Sequence, residues 1–255
     1  MKRVFVAVTE ALLLLMVFGT PAVAMVDPQN LFKDANRAYT RGQYAEALQK
    51  YRSIDSAGYQ SGELYYNMGN ACYKLGQAGP SILYYEKARQ FLKEDEDLQN
   101  NLELARLKAQ DKISEVPKFF LTSLAEAFLG WFSLDMLGYL TLGMIYLLTL
   151  ALILKMRGSL SPLTGKALVI TLLVLSLFSA TTFAAKSYLA ATVKEAVVLA
   201  PVVNAKSEPN ESSSTLFIIH EGLKVGVSQQ QGEWLEIRLP DGNKGWIPFK
   251  EAGMI

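Results

Sequence analysis

Residues 65–91 read YYNMGNACYKLGQAGPSILYYEKARQF, and residues 31–54 (LFKDANRAYTRGQYAEALQKYRSI) show the same pattern 34 positions earlier. Six pairs of positions agree in residue type or size: Tyr39 and Tyr73, Gly42 and Gly76, Gln43 and Gln77, Ala47 and Ser81, Leu48 and Ile82, Tyr51 and Tyr85. A period of this length is typical of stacked helical pairs. Glycine favours the conformation that ends a helix, and small residues let two helices cross closely. We therefore predict two helical pairs, with Tyr51 and Tyr85 filling the space between helices.

The same period continues into the next segment, DLQNNLELARLKAQDKI at residues 97–113. Leu64, Asn67 and Met68 align there with Leu98, Asn101 and Leu102. The segment is predicted to form the first helix of a third unit or a capping helix. The acidic residues at positions 94–97 suit the start of that helix, because carboxylates are favoured at the positive end of the helix dipole. Residues 25–115 are therefore predicted to form an all-α repeat domain.

The composition argues against several classes of function. The chain has 255 residues and a formal net charge of +1, which gives no basic surface for a nucleic acid. One cysteine, Cys72, and one histidine, His220, are too few for a disulfide framework or a zinc site. Cys72 is expected to be a small buried residue and His220 a surface residue. The sequence contains no phosphate loop or nucleophile elbow. We predict a non-enzymatic protein without catalytic, metal-binding or cofactor-binding residues.

The start of the chain resembles an export signal. Lys2 and Arg3 precede an apolar run at residues 11–18, and Ala22 and Ala24 offer the small residues that a signal peptidase requires. Residues 1–24 are therefore predicted to be a cleaved signal peptide. The alternative is an uncleaved anchor helix.

Two later segments are long and apolar enough to cross a membrane. Residues 136–154 and 167–185 contain no charged side chain. The loop between them carries Lys155, Arg157 and Lys166 and no acid, which by the positive-inside rule places it in the cytoplasm. We predict transmembrane helices at residues 135–155 and 167–186 and a basic cytoplasmic loop at residues 156–166. Both flanking domains would then lie outside the cytoplasmic membrane, in agreement with the export signal.

Residues 116–134 precede the first predicted span and are rich in aromatic side chains. These are Phe119, Phe120, Phe128, Trp131 and Phe132. Aromatic side chains on an amphipathic helix favour the boundary between lipid and water. We predict an interfacial amphipathic helix in this segment.

The end of the chain carries a β-hairpin pattern, GEWLEIRLPDGNKGWIPF at residues 232–249. Apolar residues at 235, 237 and 239 alternate with Trp234 and other polar or amphipathic residues, and Asp241 and Gly242 supply turn chemistry. Residues 193–255 are predicted to form a small all-β domain. Trp234 and Trp246 are expected to pack in its core, and ligand binding by an exposed tryptophan is the alternative.

Several of these parts resemble known families. The repeated helical units resemble the tetratricopeptide repeat, and residues 193–255, with Trp234 and Trp246, resemble the bacterial SH3-like domain, a small bent β-barrel. The order of signal peptide, repeats, basic-looped transmembrane helical hairpin and SH3-like tail resembles the BatE-type proteins of the bacterial aerotolerance operon. This resemblance implies a multidomain, multi-pass protein of the bacterial inner membrane with both terminal domains in the periplasm. It also implies a complex with von Willebrand A-type membrane proteins and, indirectly, a MoxR-type ATPase, with a role in tolerance of oxygen or envelope stress.

Polar residues recur on the predicted first helices of the repeats, which line the concave groove of a repeat solenoid. They are Asn36, Tyr39, Tyr66, Asn67, Asn70, Tyr73 and Asn101. Asparagine amides both donate hydrogen bonds to a peptide backbone and accept them from it. We predict a protein-binding groove at these residues. The alternative is that some of the asparagines support loops between helices.

Three functions are therefore compared. The first is a membrane-anchored scaffold whose two outer domains bind proteins, and it accounts for every segment. The second is a cell-wall sensor, in which the SH3-like tail binds peptidoglycan. The third is an exported hydrolase, which the lack of an acid, base and nucleophile set disfavours.

Overall fold

The computed structural model describes residues 27–113, 119–192 and 194–255. Within these ranges it contains eight α-helices and a seven-stranded antiparallel sheet. The described chain divides into two compact units: one runs up to Gln77 and includes Tyr84–Ala105, and the other comprises Ala78–Leu83 and Arg106–Ile255. The predicted signal peptide, residues 1–24, lies outside the described residues.

Five helices follow one another with the predicted period. They are α1 (Pro28–Thr40), α2 (Tyr44–Ser56), α3 (Gly62–Lys74), α4 (Ala78–Phe91) and α5 (Glu96–Leu107). The first residues of α1, α3 and α5 are evenly spaced, and the same spacing separates the first residues of α2 and α4. Within the described residues 27–113, the predicted helical pairs are thus confirmed as helices, with α5 as a fifth helix.

The ends of the helices repeat with the same period. The side chains of Asp27, Ser61 and Asp95 accept hydrogen bonds from the first backbone N–H groups of α1, α3 and α5. Such caps satisfy amides that have no partner inside the helix. Gly42 and Gly76, just past α1 and α3, have φ angles of +77° and +75°. These two glycines were predicted to end the first helices, and they do so in the left-handed conformation that glycine adopts without strain.

Tyr51 and Tyr85 are almost completely buried, each with 1% of its surface exposed. Gly69 of α3 lies directly against the ring of Tyr85, because a carbon added at Gly69 would be 2.5 Å from two ring atoms. In the first repeat the position of Gly69 is taken by Ala35, which is also fully buried. The tyrosine rings therefore fill the space between helices, as predicted.

We expect the Gly69→Ala variant to be destabilised by about 1–3 kcal/mol, because overpacking a filled site forces its neighbours to move. The melting temperature of the full chain in detergent, followed by its helical circular dichroism, measures this loss. Gly143→Ala is the control, since the carbon it adds meets no atom within 4 Å beyond its chain neighbours and its own helix backbone. A Gly69→Ala protein that melts with the wild type would contradict this account of the packing.

Three more helices belong to the second unit: α6 (Phe120–Gly130), α7 (Leu134–Met156) and α8 (Pro162–Thr192). By length and composition, α7 and α8 are able to cross a membrane; their mean hydropathies are 2.1 and 2.2, and only 11% of each apolar window is buried within the protein. They pack on each other through small and polar residues, and the hydroxyls of Thr141 and Ser179 lie 2.7 Å apart. A hydrogen bond of this kind joins two helices where lipid offers no polar partner.

The predicted boundaries around these helices need correction. The loop was predicted at residues 156–166, but α8 already begins at Pro162, and Lys166 lies within that helix. The backbone N–H of Thr164 donates to Ser161 Oγ, so a serine cap and a proline in the first turn start the helix there. The span predicted at residues 167–186 is the middle of a longer helix. Charges in the sequence mark the expected limits of the lipid, not the ends of the helices.

The sheet contains β1 (Lys194–Val198), β2 (Val202–Lys206), β3 (Thr215–His220), β4 (Lys224–Gln231), β5 (Trp234–Arg238), β6 (Lys244–Pro248) and β7 (Ala252–Met254). Its strand order is β3-β2-β6-β5-β4-β1-β7. Ile219 of β3 and Ala252 of β7 lie at opposite ends of this order, yet both belong to one hydrophobic cluster. The sheet must therefore curl around its core.

The predicted hairpin is confirmed, since β5 and β6 pair from Trp234 with Pro248 to Arg238 with Lys244. Of the two tryptophans expected in the core, Trp246 is buried, whereas Trp234 is half-buried and the expectation for it is wrong. Trp246 lies opposite Glu236 of β5, so it is on the other face of the sheet from the buried Leu235 and Ile237. Neither tryptophan belongs to the core cluster. That cluster is built mainly of aliphatic side chains, because alternation along a strand sends successive residues to opposite faces.

Candidate functional site

The predicted groove residues form two repeated hydrogen-bond clusters. In the first, Asn36 Oδ1 accepts from Tyr51 Oη at 2.5 Å and from Asn67 Nδ2 at 3.2 Å. In the second, Asn70 Oδ1 accepts from Tyr85 Oη at 2.7 Å and from Asn101 Nδ2 at 3.2 Å. The two clusters are related by the repeat period, atom for atom. We refer to them together as the asparagine ladder.

The structure brings most of the predicted site residues together on α1, α3 and α5. Asn101 also donates to the hydroxyl of Tyr66 at 2.8 Å, so Tyr66 belongs to the second cluster. Tyr39 packs edge-on against Tyr44, with 5.1 Å between the ring centroids, and Tyr73 is half-buried. All seven predicted side chains are partly accessible, and the asparagines of the ladder form a polar strip shared by α1, α3 and α5.

Burial raises the pKa values of two tyrosines in this region. It raises the pKa of Tyr51 to about 12, with a smaller contribution from Tyr39. Burial also raises the pKa of Tyr39, and Tyr44 and Tyr66 add to this effect. Because a phenol with a raised pKa stays protonated at neutral pH, Tyr51 remains a donor to Asn36. The oxygen of Asn36 is therefore already used by the protein itself.

The ladder divides the asparagines by role. Asn36 and Asn70 accept from buried tyrosine hydroxyls, which makes them structural. Asn67 and Asn101 donate to oxygens that a tyrosine already satisfies, so their loss leaves no buried hydroxyl without an acceptor. This division was not foreseen, although an asparagine and a tyrosine recur at the same spacing in both repeats and could have indicated it.

Replacing Asn36 by alanine is expected to cost about 1–3 kcal/mol of folding free energy, because it leaves the buried Tyr51 hydroxyl without an acceptor. Asn67→Ala should cost clearly less, since Asn36 Oδ1 keeps its bond from Tyr51. Thermal unfolding of both variants in detergent compares these losses. The Asn36→Ala/Tyr51→Phe double variant should recover part of the stability, because the unsatisfied hydroxyl is then gone. Equal losses for Asn36→Ala and Asn67→Ala would refute the division.

Cys72 is fully buried, as expected, and burial raises its pKa to about 12, although Arg52 acts in the opposite direction. A thiol reacts as its thiolate, which this environment suppresses. Among the described residues, no group of three or more His, Cys, Asp or Glu side chains is arranged to hold a metal ion.

A second candidate site is a small cleft beside the β5–β6 hairpin, with a volume of about 160 Å³. Its lining consists of Glu211, Glu233, Trp234, Pro248, Phe249 and Lys250. Trp246 is 8% exposed, whereas Trp234 is only half-buried and contributes to the cleft wall. Burial raises the pKa of the neighbouring Glu251 carboxyl, and the negative charge of Glu211 adds to this while Lys250 opposes it. The two tryptophans predicted to act alike thus have different environments.

A third feature lies within the second unit, where the segment after α5 contacts the sheet. Asp111 Oδ2 accepts from the backbone N–H of His220 at 2.6 Å, and Asp111 Oδ1 lies 2.9 Å from His220 Nδ1. Glu221 Oε1 accepts from the backbone N–H of Gly79 at 2.7 Å, in the first turn of α4. His220 was expected at the surface but is half-buried by this contact. No sequence pattern indicates the contact, because Asp111 and His220 are 109 positions apart in the chain.

No protein-family model and no curated protein matches the chain. The functional argument therefore depends on the residues and contacts described above.

Proposed function

We propose that the protein is a non-enzymatic scaffold anchored in the bacterial cytoplasmic membrane by α7 and α8. It presents tetratricopeptide-type repeats and an SH3-like domain on the outer side of that membrane. The spans themselves are supported by the length and apolar composition of α7 and α8. The observation that carries the two-crossing topology is the contact of Asp111 with His220. These two residues flank α7 and α8 in the chain, so a contact between them requires both to be in the same compartment. Two membrane crossings satisfy that requirement, and a single crossing does not.

The interpretation of α1–α5 as tetratricopeptide repeats is supported by their period. Helix starts, side-chain caps, terminal glycines and the asparagine ladder all recur with it. The interpretation of residues 194–255 as an SH3-like domain is supported by a short antiparallel sheet that curls around an aliphatic core. Both kinds of domain serve as binding modules in many proteins, and each is a proposal for this chain.

The proposed ligand of the repeats is an extended segment of a partner protein, bound along the polar strip of α1, α3 and α5. Asn67 and Asn101 offer amide groups whose remaining hydrogen-bonding capacity suits a peptide backbone. The resemblance to BatE-type proteins makes a membrane-anchored von Willebrand A-type protein the first candidate partner. A MoxR-type ATPase would then act through that partner, in a complex for tolerance of oxygen or envelope stress.

A second candidate function is the recognition of peptidoglycan by the SH3-like domain. The half-buried Trp234 in the cleft favours it, because an accessible indole beside carboxylates can hold an amine or a sugar. The sensor and the scaffold differ in the site they use, which makes them separable by point variants.

A crosslinked affinity pull-down of the tagged full chain from native membranes tests the proposal. We expect it to recover a membrane-anchored von Willebrand A-type protein, and the Asn67→Ala/Asn101→Ala variant to recover much less. Trp234→Ala serves as the matched control and should leave this capture unchanged. Point variants are preferable to deletion of residues 29–110, because residues 78–83 and 106–110 belong to the same compact unit as the sheet.

The opposite pattern would contradict the scaffold. If peptidoglycan fragments are recovered without a protein partner, and Trp234→Ala removes them while the asparagine variant does not, the cell-wall sensor is the correct function.

A further inference from the structure

Helix α6 exposes a continuous apolar stripe. Phe120, Leu124 and Trp131 have 67%, 65% and 79% of their surfaces exposed, and Phe128 lies between the last two. Trp131 is the residue just past the end of α6 and keeps a helical backbone conformation, so the spacing of four, four and three positions places all four side chains on one face. Ser123 lies outside this stripe. An apolar surface of this kind in an otherwise folded protein indicates a binding face.

Lys186 of α8 holds the end of this helix. Its ammonium group donates to the backbone carbonyl of Leu129 at 2.7 Å and also to the carbonyl of Phe132. The last carbonyls of a helix have no partner within it, and a positive charge is favoured at that end of the helix dipole. Lys186 therefore fixes the C-terminal end of α6 to one level of α8.

The depth of Lys186 in the membrane follows from the length of the uncharged part of α8. Lys166 and Lys186 enclose the uncharged part of α8, whose helical length of about 30 Å matches the thickness of the hydrocarbon layer. Lys186 then lies at one edge of that layer. Phe128 of α6 contacts Phe178, with 6.5 Å between ring centroids. Phe178 is two helical turns before Lys186, or about 12 Å deeper along α8.

We propose that α6 binds lipid: its apolar stripe enters the membrane leaflet that carries Lys186, and Lys186 holds it there as a positioning residue. The occupant of the stripe is the acyl-chain region of that leaflet. Two observations favour lipid over a protein partner: the stripe is continuous with the exposed apolar surfaces of α7 and α8, and the contact of Phe128 with Phe178 turns it toward the hydrocarbon. The inference rests on the membrane insertion of α7 and α8 in the proposed function, but not on any protein partner.

The test uses the purified full chain in vesicles of phosphatidylethanolamine and phosphatidylglycerol, with some lipids brominated in their acyl chains. Single cysteines at Leu124, Ser123 or Val174 carry an environment-sensitive fluorophore, in a Cys72→Ala background. Val174 is exposed on α8 and reports insertion of that helix. We expect brominated lipid to quench the labels at 124 and 174 and to leave the label at 123 unquenched.

The role of Lys186 is tested by Lys186→Met in the Leu124 reporter. Loss of the carbonyl contacts should reduce quenching by lipid and increase quenching by aqueous iodide at position 124. Lys166→Met, at the other end of the uncharged stretch, is the matched control and should change neither. Circular dichroism of both variants shows whether the helices persist.

The possible results separate the two proposals. Quenching at 174 with none at 124 would mean that the stripe does not enter the hydrocarbon, which would overturn this inference while leaving the scaffold intact. No quenching at 174 would overturn both. Equal quenching at 124 in the Lys186→Met and Lys166→Met variants would show that Lys186 does not position α6.

Discussion

The carboxylate of Asp111 meets the end of β3 at His220, and the long apolar helices α7 and α8 lie between these residues in the chain. A contact of this kind constrains the whole molecule, because a protein segment cannot pass through lipid to meet its partner. If α7 and α8 cross a membrane, both sides of the contact must return to one compartment. Ile113, two positions after Asp111, also packs against the core of the sheet, so the segment after α5 is part of that domain.

The repeat period explains why the helical part could be predicted from the sequence. The same period appears in the residue types and in the helix starts, because each helical pair packs its two helices together with the same kinds of residue. Gly42, Gly76, Tyr51 and Tyr85 were identified in this way. The glycines act through local backbone conformation and the tyrosines through side-chain volume, and the residue type alone indicates both properties.

Other features depended on contacts between distant residues, which a pattern does not contain. The alternation along β5 correctly indicated which residues are buried and placed Trp234 on the opposite face, but it did not indicate that Trp246 pairs with Glu236 on that same face. The asparagines were interpreted as recognition residues because their polarity was visible and the buried hydroxyls that bind Asn36 and Asn70 were not. The charges in the sequence did not predict the short loop before α8, because they report on the expected lipid boundary and not on the helix cap at Ser161.

The central claim is that the two segments flanking α7 and α8 meet on the outer side of the membrane. Cysteines replacing Asp111 and His220, in a Cys72→Ala background, can be exposed to a short membrane-impermeant thiol crosslinker on intact spheroplasts. The account predicts that this pair is crosslinked from outside, whereas a pair at the exposed Ser159 and His220 is not. Crosslinking of the 111/220 pair only after the membrane is permeabilised, or crosslinking of the 159/220 pair from outside, would contradict it.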